Sequence, residues 1–320
     1  MIYYHRLDLD RGGEQRKNQD WLIQQWMRRE CRILVLQHDK NLMRWHNQND
    51  PRPEVISLLR DDLQQLINPS TPAYFLGLEQ GQPVFALDIS ELDDASVAPF
   101  LEMGEFIDLR NVGWLLEAQQ AALLAYARGL AFWNRHHQFC GKCGHPTQME
   151  SGGYLRCCTN ALCGKLHFPR TDPAVIMLVE DLSDPDHPRC LLGRNARFPG
   201  RLMSTLAGFV DPLESLEETV AREVYEECGV RVTDIAYQAS QPWPFPSSIM
   251  LGFRARALTR EIKVDQREIE EAHWFDAEQL QTFGEWGDSG DHYCLPRRDS
   301  IARWLIQVWL DEQLHKAERR

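Results

Sequence analysis

The chain has 320 residues, and with 43% hydrophobic and 26% charged residues its composition is that of an ordinary globular protein. It carries 35 Lys and Arg residues against 47 Asp and Glu residues, a formal net charge of −12. Such a surface argues against broad, non-specific binding to a nucleic-acid backbone or an anionic membrane. No apolar run approaches the ~18 residues of a membrane span, and no signal peptide is visible, so we expect a cytoplasmic protein with reduced cysteines.

The first ~135 residues predict a domain without a recognisable catalytic motif. Arg32–Gln37 and Pro83–Asp88 are apolar runs of strand length, and residues 114–133 predict a long helix that Gly129 interrupts late. On the residues alone a structural domain is the favoured interpretation, while a dimer surface or half of a ligand pocket remain open.

Two cysteine pairs between residues 136 and 170 predict a metal site. The four cysteines are Cys140, Cys143, Cys158 and Cys163. Paired sulfurs on two short turns are typical of a zinc ribbon, in which four thiolates close the coordination of a structural Zn²⁺. Cys157 is an alternative to its neighbour, and His145 or His167 could replace a sulfur. We choose Cys158 because the spacing that it gives is the commoner one in ribbons.

From Asp172 onward the pattern is strand, loop, helix, strand and a final helix. The apolar run Ala174–Val179 has the length of a buried strand. The last helix is predicted to begin near Asp299 or Ser300. Its apolar stripe, at spacings of three and four residues, consists of Ile301, Trp304, Leu305 and Val308.

The segment 208–230 predicts a helix with carboxylates at its carboxyl end. Ser215 and Glu218 form a capping box that begins the helix, and Gly229 ends it. Three glutamates share one face of its last turns: Glu223, Glu226 and Glu227. The helix dipole disfavours each anion there by ~0.3–1 kcal/mol. Mg²⁺ or Mn²⁺ shared with a phosphate would neutralise them.

The spacing of this segment is G-x5-E-x7-R-E-U-x-E-E-x-G-U, where U is aliphatic, and it resembles the Nudix box at every position. The resemblance implies an α+β Nudix fold, a mixed β-sheet between helices, and hydrolysis of a nucleoside diphosphate linked to another group. It implies that the three glutamates hold Mg²⁺ or Mn²⁺ together with the carbonyl oxygen of Ala207, while Arg222 and Glu214 orient that face. A plain helix salt bridge from Arg222 to Glu218 is the alternative interpretation.

A proline-rich segment, S-Q-P-W-P-F-P-S-S over residues 240–248, follows the box. Its three prolines stiffen the backbone, so Trp243 and Phe245 would lose little conformational entropy on holding planar rings. By itself the segment would be interpreted as a surface loop or a ligand of a polyproline-binding domain. After a Nudix box it resembles the array that marks the NADH pyrophosphatase subfamily, and the ribbon that ends in Phe168–Pro173 is similar to the same subfamily.

This resemblance implies a divergent Nudix-like α/β domain over residues 1–135, a zinc ribbon over 136–170 and a catalytic Nudix domain over 171–320. Glu268 would complete the metal site, and Glu268 or Glu227 would be the general base, with Glu226 and Arg222 in the same catalytic set. The implied substrate-binding residues are Phe168, Phe209, Gln241, Pro242, Trp243, Pro244, Phe245, Pro246, Ser247, Ser248 and Ala302.

The activity that the resemblance implies is metal-dependent cleavage of NADH, and more weakly of NAD⁺, to nicotinamide mononucleotide and AMP by a homodimer. Removal of an NAD cap from RNA is open within the same fold. ADP-ribose or dinucleoside polyphosphates are alternative substrates, against which the intact proline array argues. A non-enzymatic zinc-ribbon adaptor is a further alternative, against which the complete set of glutamates argues.

Overall fold

In a computed structural model the chain divides into two compact units. The structure describes residues 2–4, 7–45, 52–63, 71–197 and 200–318. One unit consists of Tyr4–Thr171 and Trp243–Ser247, and the other consists of Asp172–Pro242 and Ser248–Arg320 with the residues that precede Tyr4. Within the described ranges, no helix combines the length and the apolar character that crossing a bilayer requires.

The first unit, as far as it is described, contains a seven-stranded sheet in the order β3-β2-β1-β6-β5, with β4 beside β1 and β7 beside β2. The strands are β1 (Arg32–Gln37), β2 (Lys40–Trp45), β3 (Pro53–Val55), β4 (Ser57–Leu59), β5 (Ala73–Glu79), β6 (Gln82–Asp88) and β7 (Glu105–Ile107). The helices are α1 (Gln19–Trp26), α2 (Asp94–Met103), α3 (Leu109–Val112) and α4 (Ala118–His136). Both predicted strands are confirmed, as β1 and β6.

The predicted helix over 114–133 is confirmed with different ends. Trp114 lies in a short 3₁₀ turn, and α4 begins at Ala118 because the Glu117 side chain accepts hydrogen bonds from two backbone N–H groups of the first turn. The expected interruption at Gly129 was wrong, since α4 runs on to His136. The buried face of α4 against the sheet outweighs the ~1 kcal/mol that a glycine costs inside a helix.

The ribbon forms a small antiparallel sheet of its own. Its strands are β8 (Thr147–Glu150), β9 (Leu155–Cys158) and β10 (Leu166–His167), in the order β10-β9-β8. The turn before β8 carries Cys140 and Cys143, Cys158 ends β9, and Cys163 lies in the turn between β9 and β10.

The second unit contains a six-stranded mixed sheet among its described residues, in the order β14-β15-β11-β12-β16, with β13 beside β11. The strands are β11 (Asp172–Asp181), β12 (Arg189–Arg194), β13 (Leu206–Phe209), β14 (Val232–Trp243), β15 (Ser248–Ala257) and β16 (Glu271–Asp276). The helices are α5 (Leu216–Cys228), α6 (Ala277–Gln281) and α7 (Ile301–Glu318).

Strand β11 explains why this sheet is covered on both faces. Its side chains alternate, so Val175 and Met177 enter one core with Val220 of α5, while Ile176 enters the opposite core with Leu305 of α7. The mixed sheet between helices that the Nudix resemblance implied is confirmed. The predicted start of the last helix is also confirmed, since Ser300 precedes Ile301 and its hydroxyl accepts a hydrogen bond from the backbone N–H of Arg303.

Candidate active site

Helix α5 carries most of the predicted metal ligands, and its sequence fixes where it begins and ends. The Ser215 hydroxyl accepts from the Glu218 N–H at 3.2 Å, and the Glu218 carboxylate accepts from the Ser215 N–H at 2.8 Å. Gly229 ends the helix with φ 69°. Because Glu218 is engaged at the helix start, the alternative of a plain salt bridge to Arg222 is not the arrangement seen.

Arg222 donates hydrogen bonds to three glutamates of the acidic face. Its Nε and Nη2 donate to the two carboxylate oxygens of Glu214 at 2.6 and 2.9 Å. Its Nη1 donates to Glu223 at 2.8 Å and to Glu226 at 2.9 Å, and its Nη2 also donates to the carbonyl oxygen of Phe209 at 2.9 Å. The hydrogen bonds from Arg222 lower the pKa of Glu214 to about 2. One guanidinium therefore holds the loop before α5 against the glutamates on the helix.

Glu227 is the most unusual group of the site. Its side chain is buried, and its Oε2 has no hydrogen-bond partner among the described residues. Burial raises the pKa of Glu227 to about 8, and the charges of Glu223 and Glu268 add to the shift, while a hydrogen bond from the backbone of Ala207 opposes it. A buried carboxylate oxygen without a donor is unfavourable unless a proton or a cation satisfies it.

A short segment after β15 brings Glu268 to the same place. The backbone N–H of Lys263 donates to the carbonyl oxygen of Cys228 at 2.8 Å, and that of Asp265 donates to the carbonyl oxygen of Glu227 at 3.1 Å. The backbone N–H of Glu268 then donates to the carbonyl oxygen of Asp265 at 3.0 Å. The end of α5 thus anchors the turn that carries Glu268, whose charge acts on the Glu227 carboxyl.

The acidic residues are gathered but not closely packed. Glu223 and Glu227 are buried, whereas Glu226 and Glu268 are exposed. In the part of the chain that the structure describes, the four cysteines are the one group of three or more potential ligands whose atoms all lie within 4.8 Å of one another. The Arg222 guanidinium bridges Glu223 and Glu226, and burial together with the charges of Glu223, Glu226 and Glu268 raises the pKa of the Glu227 carboxyl. Their donor atoms are all oxygens, which suits a hard divalent cation.

The cysteine cluster has the dimensions of a tetrahedral zinc site. The Sγ atoms of Cys140 and Cys163 are 3.9 Å apart, and those of Cys143 and Cys158 are 3.4 Å apart. Zinc–sulfur bonds of about 2.3 Å would put tetrahedral sulfurs about 3.8 Å apart, so the four residues fit Zn²⁺. Cys158 is in the cluster and Cys157 is not, because neighbouring strand residues point to opposite faces.

The two histidines considered as ligands lie beside this cluster. The Nε2 of His167 is 3.3 Å from the Sγ of Cys140, and the Nδ1 of His145 is 3.3 Å from the carbonyl oxygen of Cys143. With four sulfurs present, neither imidazole is needed to complete four ligands.

Gln241 is buried inside its unit. Its Nε2 donates to the carbonyl oxygens of Tyr3 and Asp299 at 3.2 and 2.7 Å, and its Oε1 accepts from the backbone N–H of Ile301 at 2.8 Å. The side chain thereby provides a hydrogen-bond acceptor for the backbone N–H of Ile301, the first residue of α7. Ala302, one residue further along that helix, is buried in the core that α7 forms with the sheet.

The rings of the proline-rich segment pack within the first unit. Trp243 and Phe245 meet edge to face with centroids 5.0 Å apart, and the ring of Tyr4 lies 6.1 and 6.0 Å from them. The guanidinium of Arg128 lies 4.7 Å from the centroid of Phe245, and that of Arg110 lies 5.9 Å from it. Neighbours of the same unit therefore hold both rings in place.

The other residues expected to bind substrate differ in exposure. Phe168, after β10, is 49% exposed, and Phe209, at the end of β13, is 60% exposed. Both rings are accessible for stacking, each in its own unit. Of the remaining positions, Pro242 and Pro246 are exposed. Ser247 is half-buried, and Pro244 and Ser248 are buried.

Sequence reasoning missed two residues that shape the site. The backbone of Asp265 links the turn that carries Glu268 to α5, and its carboxylate accepts a hydrogen bond from the side chain of Arg267. The Asp-x-Arg pattern in the sequence could have predicted that ion pair. Leu213, between Phe209 and α5, has the left-handed φ of 74°. Nothing in the letters around it signals that conformation.

Three family models match the chain. The NUDIX domain matches residues 170–295, the NADH pyrophosphatase-like rudimentary NUDIX domain matches residues 30–133, and the NADH pyrophosphatase zinc ribbon domain matches residues 135–168.

Curated relatives and solved structures are similar to the chain. The NAD-capped RNA hydrolase NUDT12 of Homo sapiens is 35% identical over 342 residues, which cover 96% of this chain and 73% of that protein. The NAD-capped RNA hydrolase NudC of Stutzerimonas stutzeri is 37% identical over 259 residues, covering 81% and 85%. A NUDIX hydrolase structure from Nitrosomonas europaea is 22% identical with a TM-score of 0.36, covering 50% of this chain and 99% of that one.

Proposed function

The chain belongs to the NADH pyrophosphatase family of Nudix hydrolases, and from this premise we propose that it cleaves the diphosphate of NADH, and of NAD⁺, to nicotinamide mononucleotide and AMP. The observation that carries the proposal is the buried Glu227 oxygen without a donor, with the charges of Glu223 and Glu268 acting on the same carboxyl. Such a site favours a cation and, through it, a pair of phosphates.

Magnesium or manganese fits these residues, because every side-chain donor is a carboxylate oxygen and one of them lacks a partner in the described structure. The residues that would hold the ion are Glu223, Glu226, Glu227 and Glu268, with the carbonyl oxygen of Ala207. When bound, the cation supplies Lewis-acid polarisation of the phosphoryl group and neutralises developing negative charge.

The protein's own groups have separable roles in this proposal. Glu268 is exposed, so its carboxylate is accessible to water and can accept a proton from the attacking water molecule. Glu227 is buried, and burial raises its pKa to about 8, so near neutral pH a cation at the site would favour its charged form. Arg222 orients the face by holding Glu214, Glu223 and Glu226.

The rings of the substrate need apolar surfaces. Phe168 and Phe209 are exposed and suited to stacking on planar bases. Trp243 and Phe245 are also proposed to contact substrate rings, and the prolines of the segment Pro242–Ser248 stiffen the backbone that carries them. Gln241 and Ala302, which are buried, would contribute to the substrate site only by stabilising the fold around it.

The ribbon would hold Zn²⁺ through Cys140, Cys143, Cys158 and Cys163 as a structural ion. We also propose a homodimer in the cytoplasm, built from a divergent domain over 1–135, a ribbon over 136–170 and a catalytic domain over 171–320. The matched family ranges support this division.

NAD-cap removal from RNA is a second activity of the same site, and the names of the NUDT12 and NudC relatives favour it. Only the 5′ end of such an RNA would enter the pocket, which is compatible with a net charge of −12.

A substrate panel tests the proposal. NADH, NAD⁺, ADP-ribose, diadenosine polyphosphates and NAD-capped RNA are each incubated with Mg²⁺ or Mn²⁺, and products are identified by mass. We expect nicotinamide mononucleotide and AMP from NADH with the highest kcat/KM among the free nucleotides. Faster cleavage of ADP-ribose or a dinucleoside polyphosphate, or no cleavage of any substrate, would overturn it.

A further inference from the structure

Leu213 adopts a backbone conformation that leucine avoids. Its φ is 74°, in the left-handed region where a Cβ crowds the neighbouring carbonyl oxygen, and the residue is fully exposed. Glycine would take this φ without strain, and asparagine would take it more easily than leucine. The protein therefore bears backbone strain to place a large apolar side chain in water. Folding gains nothing from that arrangement.

The loop that carries Leu213 is fixed to the candidate metal site. Arg222 Nη2 donates to the carbonyl oxygen of Phe209 and to Glu214 Oε2, both at 2.9 Å, so one guanidinium holds both ends of the loop. The Asp211 N–H also donates to Glu214 Oε2 at 3.1 Å. The same guanidinium donates to Glu223 and Glu226. Leu213 thus lies in a loop whose two ends are bound by the same guanidinium that binds the acidic face.

A second exposed apolar side chain lies where this loop begins, at the end of β13. Phe209, four residues before Leu213, is 60% exposed. Phe209 and Leu213, two exposed apolar residues at the start and near the end of this loop, are called here the apolar rim. The guanidinium that binds the loop also binds carboxylates that would hold phosphates through a cation. A nucleotide has a matching arrangement, because a planar base is joined through ribose to its phosphates.

We propose that Leu213 is a specificity-determining residue that contacts one base of the dinucleotide, with Phe209 on the same apolar rim, while the diphosphate lies at the glutamates. This inference rests on the proposed function. The strain at Leu213 is retained because an apolar contact that forms only with bound substrate offsets it. Because leucine is apolar, its side chain would add affinity for a base of the substrate and little affinity for the phosphates.

The decisive variant is Leu213→Gly, since glycine relieves the strain and removes the contact together. A structural role for the side chain predicts a less stable protein, whereas a binding role predicts a protein that is at least as stable and binds worse. Leu213→Asn is the second variant, because it tolerates the same φ and keeps a side chain that is polar. Leu258→Gly is the matched control, an exposed leucine of the same unit that has no positive φ.

Steady-state kinetics with NADH and ADP-ribose, thermal unfolding and the mass in solution are measured for each variant. For Leu213→Gly we expect KM to rise about 5- to 20-fold with little change in kcat, as for the loss of one apolar contact. We expect the same rise in KM for Leu213→Asn and the wild-type KM for Leu258→Gly. The unfolding temperature of Leu213→Gly should be unchanged or higher than that of wild type. A rise for NADH alone would place the nicotinamide on the rim, and equal rises for NADH and ADP-ribose would place the adenine there.

The inference is overturned if Leu213→Gly keeps the wild-type KM for both substrates while wild type cleaves NADH. It is also overturned if the rise in KM accompanies a change in solution mass, because the rim would then bind a second copy of the chain. Failure of wild type to cleave either substrate is a different result, which refutes the proposed function and the inference with it.

Discussion

The carboxylate of Glu223 lies directly against the Cα of Gly208. A Cβ on Gly208 would come within 1.8 Å of the Glu223 Cδ and within 2.0 and 2.2 Å of its two carboxylate oxygens. Gly208 has no positive φ, so its backbone conformation does not require glycine. The first glycine of the box is needed because the acidic face of α5 approaches β13 at this point.

Gly208→Ala should therefore displace Glu223 without unfolding the protein. A shift of about 1 Å in a site of this kind costs roughly 100-fold in rate, and we expect a loss of that size in kcat/KM for NADH. Gly141→Ala is the matched control, because an added Cβ there meets no atom within 4 Å. Equal activity of both variants would mean that the position of Glu223 does not matter.

The raised pKa of Glu227 predicts a pH-dependent stability in protein freed of Mg²⁺ and Mn²⁺ but retaining zinc. The unfolded carboxyl, with its ordinary pKa of 4.5, loses its proton as pH rises, while the folded carboxyl keeps it until about pH 8. The folded state therefore loses stability between those two values, by roughly 1.4 kcal/mol for each pH unit. The free energy of unfolding is measured with denaturant for wild type and Glu227→Gln across pH 5–8, the range between the two pKa values of Glu227. It should change less with pH in the variant than in wild type.

The two adjacent cysteines of β9 should differ in zinc binding. Cys158→Ser removes a member of the sulfur cluster, whereas Cys157→Ser changes a side chain outside it. We expect zinc per chain, measured by atomic emission after dialysis, to fall in the first variant and to stay at the wild-type value in the second. The opposite ranking would reassign the ligand.

Gln241→Ala should act on stability. The substitution removes the hydrogen bonds to the carbonyl oxygens of Tyr3 and Asp299 and from the buried Ile301 N–H, at about 1–3 kcal/mol for each buried group that stays unsatisfied. Denaturant unfolding should show this loss, while KM for NADH in the folded protein stays within about twofold of wild type. A large rise in KM with unchanged stability would indicate direct contact with substrate.

Features set by neighbours in the chain were predictable. Short sequence patterns that need no tertiary contact predicted the capping box at Ser215, the end of α5 at Gly229 and the strand β11. The cysteine spacing predicted the ribbon for the same reason, since paired ligands on tight turns are local features.

Features set by contacts across the fold were not predictable. The partners of Arg222 depend on a loop that comes back to the helix, and the burial of Gln241 depends on α7, 60 residues further along the chain. Gly129 looked like a helix interruption because propensity alone was considered, whereas packing of α4 decides. The conformation of Leu213 has no sequence signal at all.

The most direct test of the central claim is NADH cleavage by Glu227→Gln compared with Glu217→Gln. Glu217 is an exposed glutamate in the first turn of the same helix, so its loss should leave activity unchanged. Loss of the buried carboxylate should lower kcat about 100- to 10,000-fold at saturating Mg²⁺. Full activity of Glu227→Gln, with nicotinamide mononucleotide and AMP still formed, would contradict the claim that these carboxylates hold the cation against the diphosphate.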